Sequence, residues 1–335
     1  MRKAQNRCRL ATLAAAGLAV FFCLVPSPGR AAEKVTVRTD FTPAGTHAAL
    51  HLALVKGWFK DAGLDVDLQD GKGSINTIQL VGAGEVDIGQ LSVGMVPIAQ
   101  QAGMKVMSIA GFARRGDLAV LVPERSSIRT AQDLRGKRIV LFSASPWIPF
   151  INPFLKAAGM TRNDVKLIFV DPHAMYPTYA SDKADAVMTL APFAMPILAK
   201  MMPSRPIIAA DYGIAFPGLG LVAREDTIEK RPTTVAKVVA ATIRAWDYIY
   251  AGHEDEAVQD ILKDRPDAKL DPAILKGQII AYKDYFNTPN TVGKPIGWQS
   301  EADWAAAIKT MVEAGVIKPG HKPGDFYTNA FMPKS

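Results

Sequence analysis

With 335 residues, 49% of them hydrophobic and 8% aromatic, the chain is long enough for about two domains, each with its own core. Its formal net charge of +7 would suggest an acidic partner such as a nucleic acid. That excess is concentrated in Arg2, Lys3, Arg7, Arg9 and Arg30, with no acid among them, so the rest of the chain is nearly balanced and a nucleic-acid partner loses its support.

The early basic residues flank an apolar run from Leu10 to Val25, broken by Pro26, Ser27, Pro28 and Gly29 and followed by the small residues Ala31 and Ala32. Charged, apolar and small in that order, residues 1–31 read as a secretory signal peptide, and the expected location is periplasmic. An uncleaved anchor and a lipoprotein attached through Cys23 are the alternatives, but the bulky Phe22 stands where a lipoprotein needs a small residue. Cys8 and Cys23 are the two cysteines. Cleavage removes both, leaving no disulfide, thiolate nucleophile or cysteine metal site.

The next stretch reads strand, loop, helix, strand. Val35, Val37 and Thr39 alternate and end at Asp40, a Pro/Gly loop spans 41–46, and His47, Leu50, Leu54 and Trp58 recur near helical spacing before a strand at 64–67. Ser74 opens a helix to Leu80, and 86–91 is a strand. A helix over 92–101 is weakened by Pro97. Strands follow at 106–112 and 118–122, joined by a tight turn at 114–117.

A second α/β block begins near Glu124, with strands at 138–142, 165–170, 186–189 and 206–210 and short helices between them. The segment 213–220 leads back to a strand at 219–223. Helices then dominate, at 233–250, 254–263, 272–285 and 300–314, with an Asn/Pro/Gly-rich surface loop at 286–297. One block inserted between two stretches of another is the organisation of a two-lobed clamp. The expected lobes are 33–123 with 217–335, and 124–216. The hinge crossings are expected near Pro123 and near Phe216–Gly218.

Four phrases coincide with one family. Lys56-Gly57-Trp58-Phe59-Lys60-Asp61-Ala62-Gly63-Leu64-Asp65-Val66 resembles the signature of the NMT1/THI5-like substrate-binding proteins of ABC importers. Residues 82–89, 133–139 and 183–187 resemble that family's later phrases, in the right order. The resemblance implies a type II periplasmic-binding fold: two α/β lobes joined by a two-crossing hinge and closing on a small molecule. It also implies a monomer that delivers its solute to a membrane permease, with no cofactor. Asp40-Phe41-Thr42-Pro43-Ala44-Gly45-Thr46-His47 is similar to the start of the thiamine-pyrimidine-precursor binders. It departs from them in having Phe for Trp and Ala-Gly-Thr for Asn-Thr-Asn.

In such sheets ligands sit beyond the carboxyl ends of the strands, which selects the candidate residues. Phe41 could stack on a planar ring or pack beneath its loop. Asp40 could accept from a ring amine or hold the loop's own amides. Thr42 stands beside them. His47 is expected to give one hydrogen bond and His51 to be ordinary helix surface. Their spacing of four suits a metal pair, but no third ligand is near, so no metal is expected. Gly73 and Ser74 open a helix and form either an anion or carbonyl site or a plain N-cap, and Ser92 has the same duality. In the second block, Ser143, Ser145 and Trp147 follow a strand, with Trp147 as an aromatic jaw opposite Phe41. Asp171 and Phe193 occupy similar positions, and Tyr176 is either site or core. Arg114 and Arg115 read as a solvated turn.

The aromatic pair favours a flat, largely neutral ring, such as a thiamine-pyrimidine precursor. The alternative is an anion binder for sulfonate, taurine, nitrate or an aromatic carboxylate, which would want a convergent arginine. A sensor partner for a membrane receptor would share this binding chemistry. Enzymes on this fold, the pyrimidine synthases, resemble a cysteine-rich iron motif with a cofactor lysine. This chain lacks that motif, a nucleophile elbow and a phosphate loop, so no catalytic residue is expected.

Overall fold

The computed structural model describes residues 31–214 and 217–333. Residues 1–30 of the expected signal peptide, and Phe216 at the second crossing, lie outside them. Val35 and Val37 turn inward along β1 (Glu33–Arg38). The helical stretch after the loop is two helices, α1 (Ala48–Val55) and α2 (Trp58–Asp61). β2 (Leu64–Gln69) then pairs in parallel with β1 along its whole length, Glu33 opposite Leu64 and Arg38 opposite Gln69. α3 (Ser74–Ala83) returns the chain to β3 (Ile88–Ser92), parallel to β1 on its other side. Pro97 falls in the first turn of α4 (Val96–Gln101), where its missing N–H costs nothing. β4 (Val106–Gly111) completes this run.

The second sheet takes β5 (Leu118–Pro123), β6 (Arg138–Leu141), β7 (Lys166–Phe169), β8 (Ala186–Leu190) and β9 (Ser204–Ile208). Its helices are α5 (Ile151–Ala157), α6 (Met175–Ala180) and α7 (Ala191–Met201). The chain returns as β10 (Leu219–Arg224) and ends in α8 (Glu225–Lys230), α9 (Pro232–Tyr250), α10 (Glu254–Asp264), α11 (Pro272–Lys283) and α12 (Glu301–Glu313).

The strand orders are β2-β1-β3-β10-β4 and β7-β6-β8-β5-β9. The two sheets have the same plan: three parallel strands, then one antiparallel strand delivered by a crossing, then an edge strand. The expected two-lobed α/β architecture is therefore present. The first crossing, however, lies between β4 and β5, at 112–117, before the boundary expected near Pro123. The run Leu118–Pro123, buried at every position, is the fourth strand of the second sheet rather than the last of the first. A tight turn ahead of it made it look like the second arm of a hairpin, and sheet membership cannot be read from so short an apolar run.

Two residues expected at the surface are buried. His51 donates through Nδ1 to the Asp264 carboxylate at 2.6 Å, and desolvation pushes its imidazole pKa down despite that carboxylate. Arg114 is an internal staple rather than a solvated turn. Its guanidinium donates to the carbonyls of Phe286, Pro295 and Trp298 and to Asn287 Oδ1, pinning the 286–297 loop. Burial lowers its pKa to about 10.

Candidate functional site

The parallel strands of both sheets point their carboxyl ends into one cleft. β10 runs the other way, and its first residue, Leu219, lies opposite Ser92 at the end of β3 and so reaches the same edge. The cleft is lined from the first lobe by Asp40, Phe41, Thr46, Gly73, Ser74 and Leu219. From the second lobe come Phe142, Ser145, Pro146, Met175, Tyr176, Thr189, Leu190 and Phe193.

The first lobe's contribution is a polar web anchored on Asp40. Its Oδ1 faces His47 Nε2 at 3.0 Å and its Oδ2 accepts from Ser74 Oγ at 2.8 Å. A carboxylate oxygen only accepts, so Nε2 carries the histidine proton. Ser74 Oγ in turn accepts from the Ser92 backbone N–H at 3.2 Å. Ser74 is thus neither a bare anion site nor a plain cap: its hydroxyl ties the β1 edge to the β3 edge. Gly73, at φ +123°, brings the first lobe against the second. A Cβ there would lie 2.5 Å from the Ala144 carbonyl oxygen, and a side chain would hold the lobes apart.

The second lobe supplies the walls. Phe41 meets Phe193 edge-on at 5.4 Å between ring centroids and Phe142 at 5.6 Å, and Tyr176 stacks on Phe193 at 6.3 Å. Tyr176 Oη and Thr189 Oγ1 share a hydrogen bond of 2.8 Å, and burial raises the phenol's pKa. Ser145 Oγ accepts from the Trp147 N–H at 3.3 Å, leaving its own hydrogen to give. The space between the rings is about 40 Å³, room for a few waters.

Asp40 is the one charged side chain among these lining residues, and no lysine or arginine is among them. Asp117 stands at the end of the first crossing, where its backbone carbonyl accepts from the Ala191 N–H and its carboxylate lies against Gly218. It is fully buried, and neither carboxylate oxygen has a hydrogen-bond partner among the described residues. Burial, with the Asp40 carboxylate adding to it, pushes its pKa up to about 7.

Of the sequence-predicted residues, Asp40, Phe41, Gly73, Ser74, Ser145 and Phe193 meet in the cleft. His47 and Ser92 are buried one layer behind Asp40 and Ser74. Thr42 does not line the cleft. Ser143 is exposed, and Asp171 is exposed with its carboxylate accepting from the His173 N–H. Trp147 is not a jaw. Its side chain is fully buried, its indole N–H donates to the Thr189 carbonyl at 2.9 Å, and its ring packs edge-on against Phe154. The turn that begins at Ser145 rotates the indole inward and leaves Pro146 at the rim. The aromatic facing Phe41 is instead Phe142, the residue directly after β6, together with Phe193. The rule that selected Asp40 and Phe41, position just past a parallel strand, also selects Phe142.

A two-lobed α/β clamp with its cleft at the strand ends is the periplasmic-binding-protein fold. The NMT1/THI5-like family matches residues 44–257, and the chain belongs to that family. Among curated proteins, the formylaminopyrimidine-binding protein of Halalkalibacterium halodurans is 25% identical over 295 residues, 85% of this chain and 86% of that protein. A 4-amino-5-hydroxymethyl-2-methylpyrimidine phosphate synthase of Saccharomyces cerevisiae is 25% identical over 233 residues, 65% of this chain and 68% of that protein. The periplasmic aliphatic sulphonate binding protein of Escherichia coli superposes with a TM-score of 0.64 at 17% identity, over 87% of this chain and 90% of that one.

Proposed function

We propose that the chain is the exported solute-binding component of an ABC importer. It closes on a small planar heteroaromatic solute that carries N–H donors, of the aminopyrimidine class, and delivers it to a membrane permease. The observation that carries this reading is the lining: aromatic side chains on both sides and one carboxylate, with no cation. A flat ring gains stacking area from Phe41, Phe142 and Phe193. An exocyclic amine finds Asp40, and a ring nitrogen finds the Ser145 hydroxyl. A sulfonate or nitrate would face the Asp40 carboxylate in a desolvated cleft with no lysine or arginine among the lining residues to neutralise it. The curated relative that binds formylaminopyrimidine covers most of the chain and points the same way.

The synthase relative does not redirect the reading. Both cysteines, Cys8 and Cys23, precede the described fold, and in the cleft Asp40 and Ser74, with His47 behind them, satisfy one another instead of presenting a nucleophile. Thermal-shift screening tests the proposal. An aminopyrimidine should raise the melting temperature in proportion to the logarithm of its concentration above Kd. Taurine and nitrate should not. Stabilisation by the anions alone would reverse the assignment.

A further inference from the structure

α11 carries Gln278, which nothing in the sequence marks as functional. Its side chain is 2% exposed and makes two hydrogen bonds of opposite sense. Oε1 accepts from the Gly45 N–H at 2.8 Å, and Nε2 donates to the Phe193 carbonyl at 2.9 Å. With a donor on one side and an acceptor on the other, only one orientation of the amide satisfies both. Gly45 belongs to the first lobe's ligand loop, whereas Phe193 is in the second lobe's aromatic wall. α11 itself packs into the first lobe's core through Leu275, Ile279 and Tyr282. One carboxamide therefore joins the two jaws that meet at Phe41 and Phe193.

The contact continues along the seam between α7 and α11. A Cβ on Gly277 would stand 2.9 Å from Pro196 Cβ, so the helices approach as closely as they do only because that position has no side chain. Further along, Lys200 pairs with Asp271.

We propose that Gln278 is the latch of the closed clamp: a positioning residue that fixes Phe193 against Phe41 and sets how long the solute is held. It does not line the cleft. It acts by holding the backbone of the jaw that does. Opening the clamp separates Nε2 from the Phe193 carbonyl and returns both to water. The net gain of one buried hydrogen bond then corresponds to a change of about threefold to tenfold in the ratio of closed to open forms.

The latch deepens the proposed solute reading, but its main test needs no ligand. A water-soluble carbodiimide joins an amine to a carboxylate in contact with it, so an amide between Lys200 and Asp271, read as a cross-linked peptide by mass spectrometry, counts closed molecules of the full chain. Gln278→Glu keeps the acceptor toward Gly45 but sets a carboxylate oxygen against the Phe193 carbonyl. Its cross-link rate should fall at least about threefold. Gly277→Ala favours the α11 helix intrinsically while wedging it off Pro196. It should lower the rate similarly with no loss of melting temperature, an outcome that a merely structural role for the seam does not give. Equal rates in wild type and both variants would overturn the latch, and if Gln278→Glu fails to fold, Gly277→Ala alone decides. Adding 4-amino-5-hydroxymethyl-2-methylpyrimidine, whose phosphate is the compound in the name of the yeast relative, separates the two proposals. If wild type binds it, Gln278→Glu should release it about tenfold faster with little change in association rate, and an unchanged release rate counts against the latch. If wild type does not bind it, the aminopyrimidine reading fails while the cross-link still decides the latch.

Discussion

The two edges that face the cleft have the same strand plan and opposite chemistry. The first lobe offers a prearranged polar web, Asp40 with His47 and Ser74, in which each member is held by another. The second lobe offers aromatic surface, Phe142, Tyr176 and Phe193, with hydroxyls from Ser145 and Thr189 between. On the proposed function, equivalent positions on a shared scaffold divide the work: one edge would orient the solute by hydrogen bonding and the other would close over its faces. That division explains why Phe41 belongs with the second group. It is the one aromatic the first lobe contributes, and it meets its partners across the cleft, not within its own lobe.

The largest expected effect breaks the second edge from beneath. Trp147→Ala should cost about 3–5 kcal/mol of stability, as for other large-to-small changes in a core. The measurement is denaturant unfolding, and any loss of binding should follow the loss of folded protein. A variant with wild-type stability but weakened binding would return Trp147 to the cleft.

Asp40→Ala breaks the first edge. It strands the His47 Nε2–H and the Ser74 hydroxyl, both buried, and should cost about 3 kcal/mol of stability, since each bond to a charged group contributes about 1.5–3 kcal/mol. Solute affinity should fall about a hundredfold. Calorimetry on the folded variant reads the second number, and retained affinity would remove Asp40 from recognition.

Asp117 lies where the two edges meet at the hinge. Its carboxyl pKa is raised in the folded protein, from 3.8 to about 7, so the folded state keeps this proton longer than the unfolded chain does. Its contribution to stability is complete below about pH 4 and is lost as pH rises to about 7. The ceiling is roughly 4 kcal/mol, about 3 pH units at 1.4 kcal/mol each. The Asp40 carboxylate and the Tyr282 and Tyr285 phenols are the titratable groups that sense it. The nearby Arg114 and Arg115 are turned to the 286–297 loop and to the Tyr285 ring. Asp117→Asn should therefore gain stability relative to wild type between pH 4 and 7 and hold a constant difference above that. Parallel pH profiles would show that the carboxyl is hydrated and normal.

Smaller effects sharpen the contrast. Phe41→Ala should weaken solute binding about tenfold, the loss of about 1.4 kcal/mol of aromatic contact, with little loss of fold because the side chain is half-buried at the rim. Ser145→Ala should weaken it only a few-fold, one neutral hydrogen bond. Equal losses from the two would mean that the second edge depends on polar recognition as much as on ring contact.

Much of this was legible in the sequence. Strand ends are marked by alternation and by the loops that follow, so Asp40, Phe41, Gly73, Ser74, Ser145 and Phe193 can be read from the sequence. What stayed hidden depends on contacts remote in the chain. Trp147 and Arg114 are buried by segments dozens to hundreds of residues away, and no local pattern tells an inward indole from an outward one. Asp117 and Gln278 take their meaning from the hinge and from the seam between lobes, neither of which leaves a periodic signal. Even the first crossing was displaced, because a strand's allegiance to one sheet or the other is decided by its pairing partners.

The most direct test of the account is a calorimetric titration of the full chain at pH 7, with 4-amino-5-hydroxymethyl-2-methylpyrimidine and, separately, with taurine and nitrate. Saturable one-to-one binding of the pyrimidine, lost in Asp40→Ala, with no heat from the anions, is the predicted result. Saturable binding of taurine or nitrate with none of the pyrimidine would contradict it.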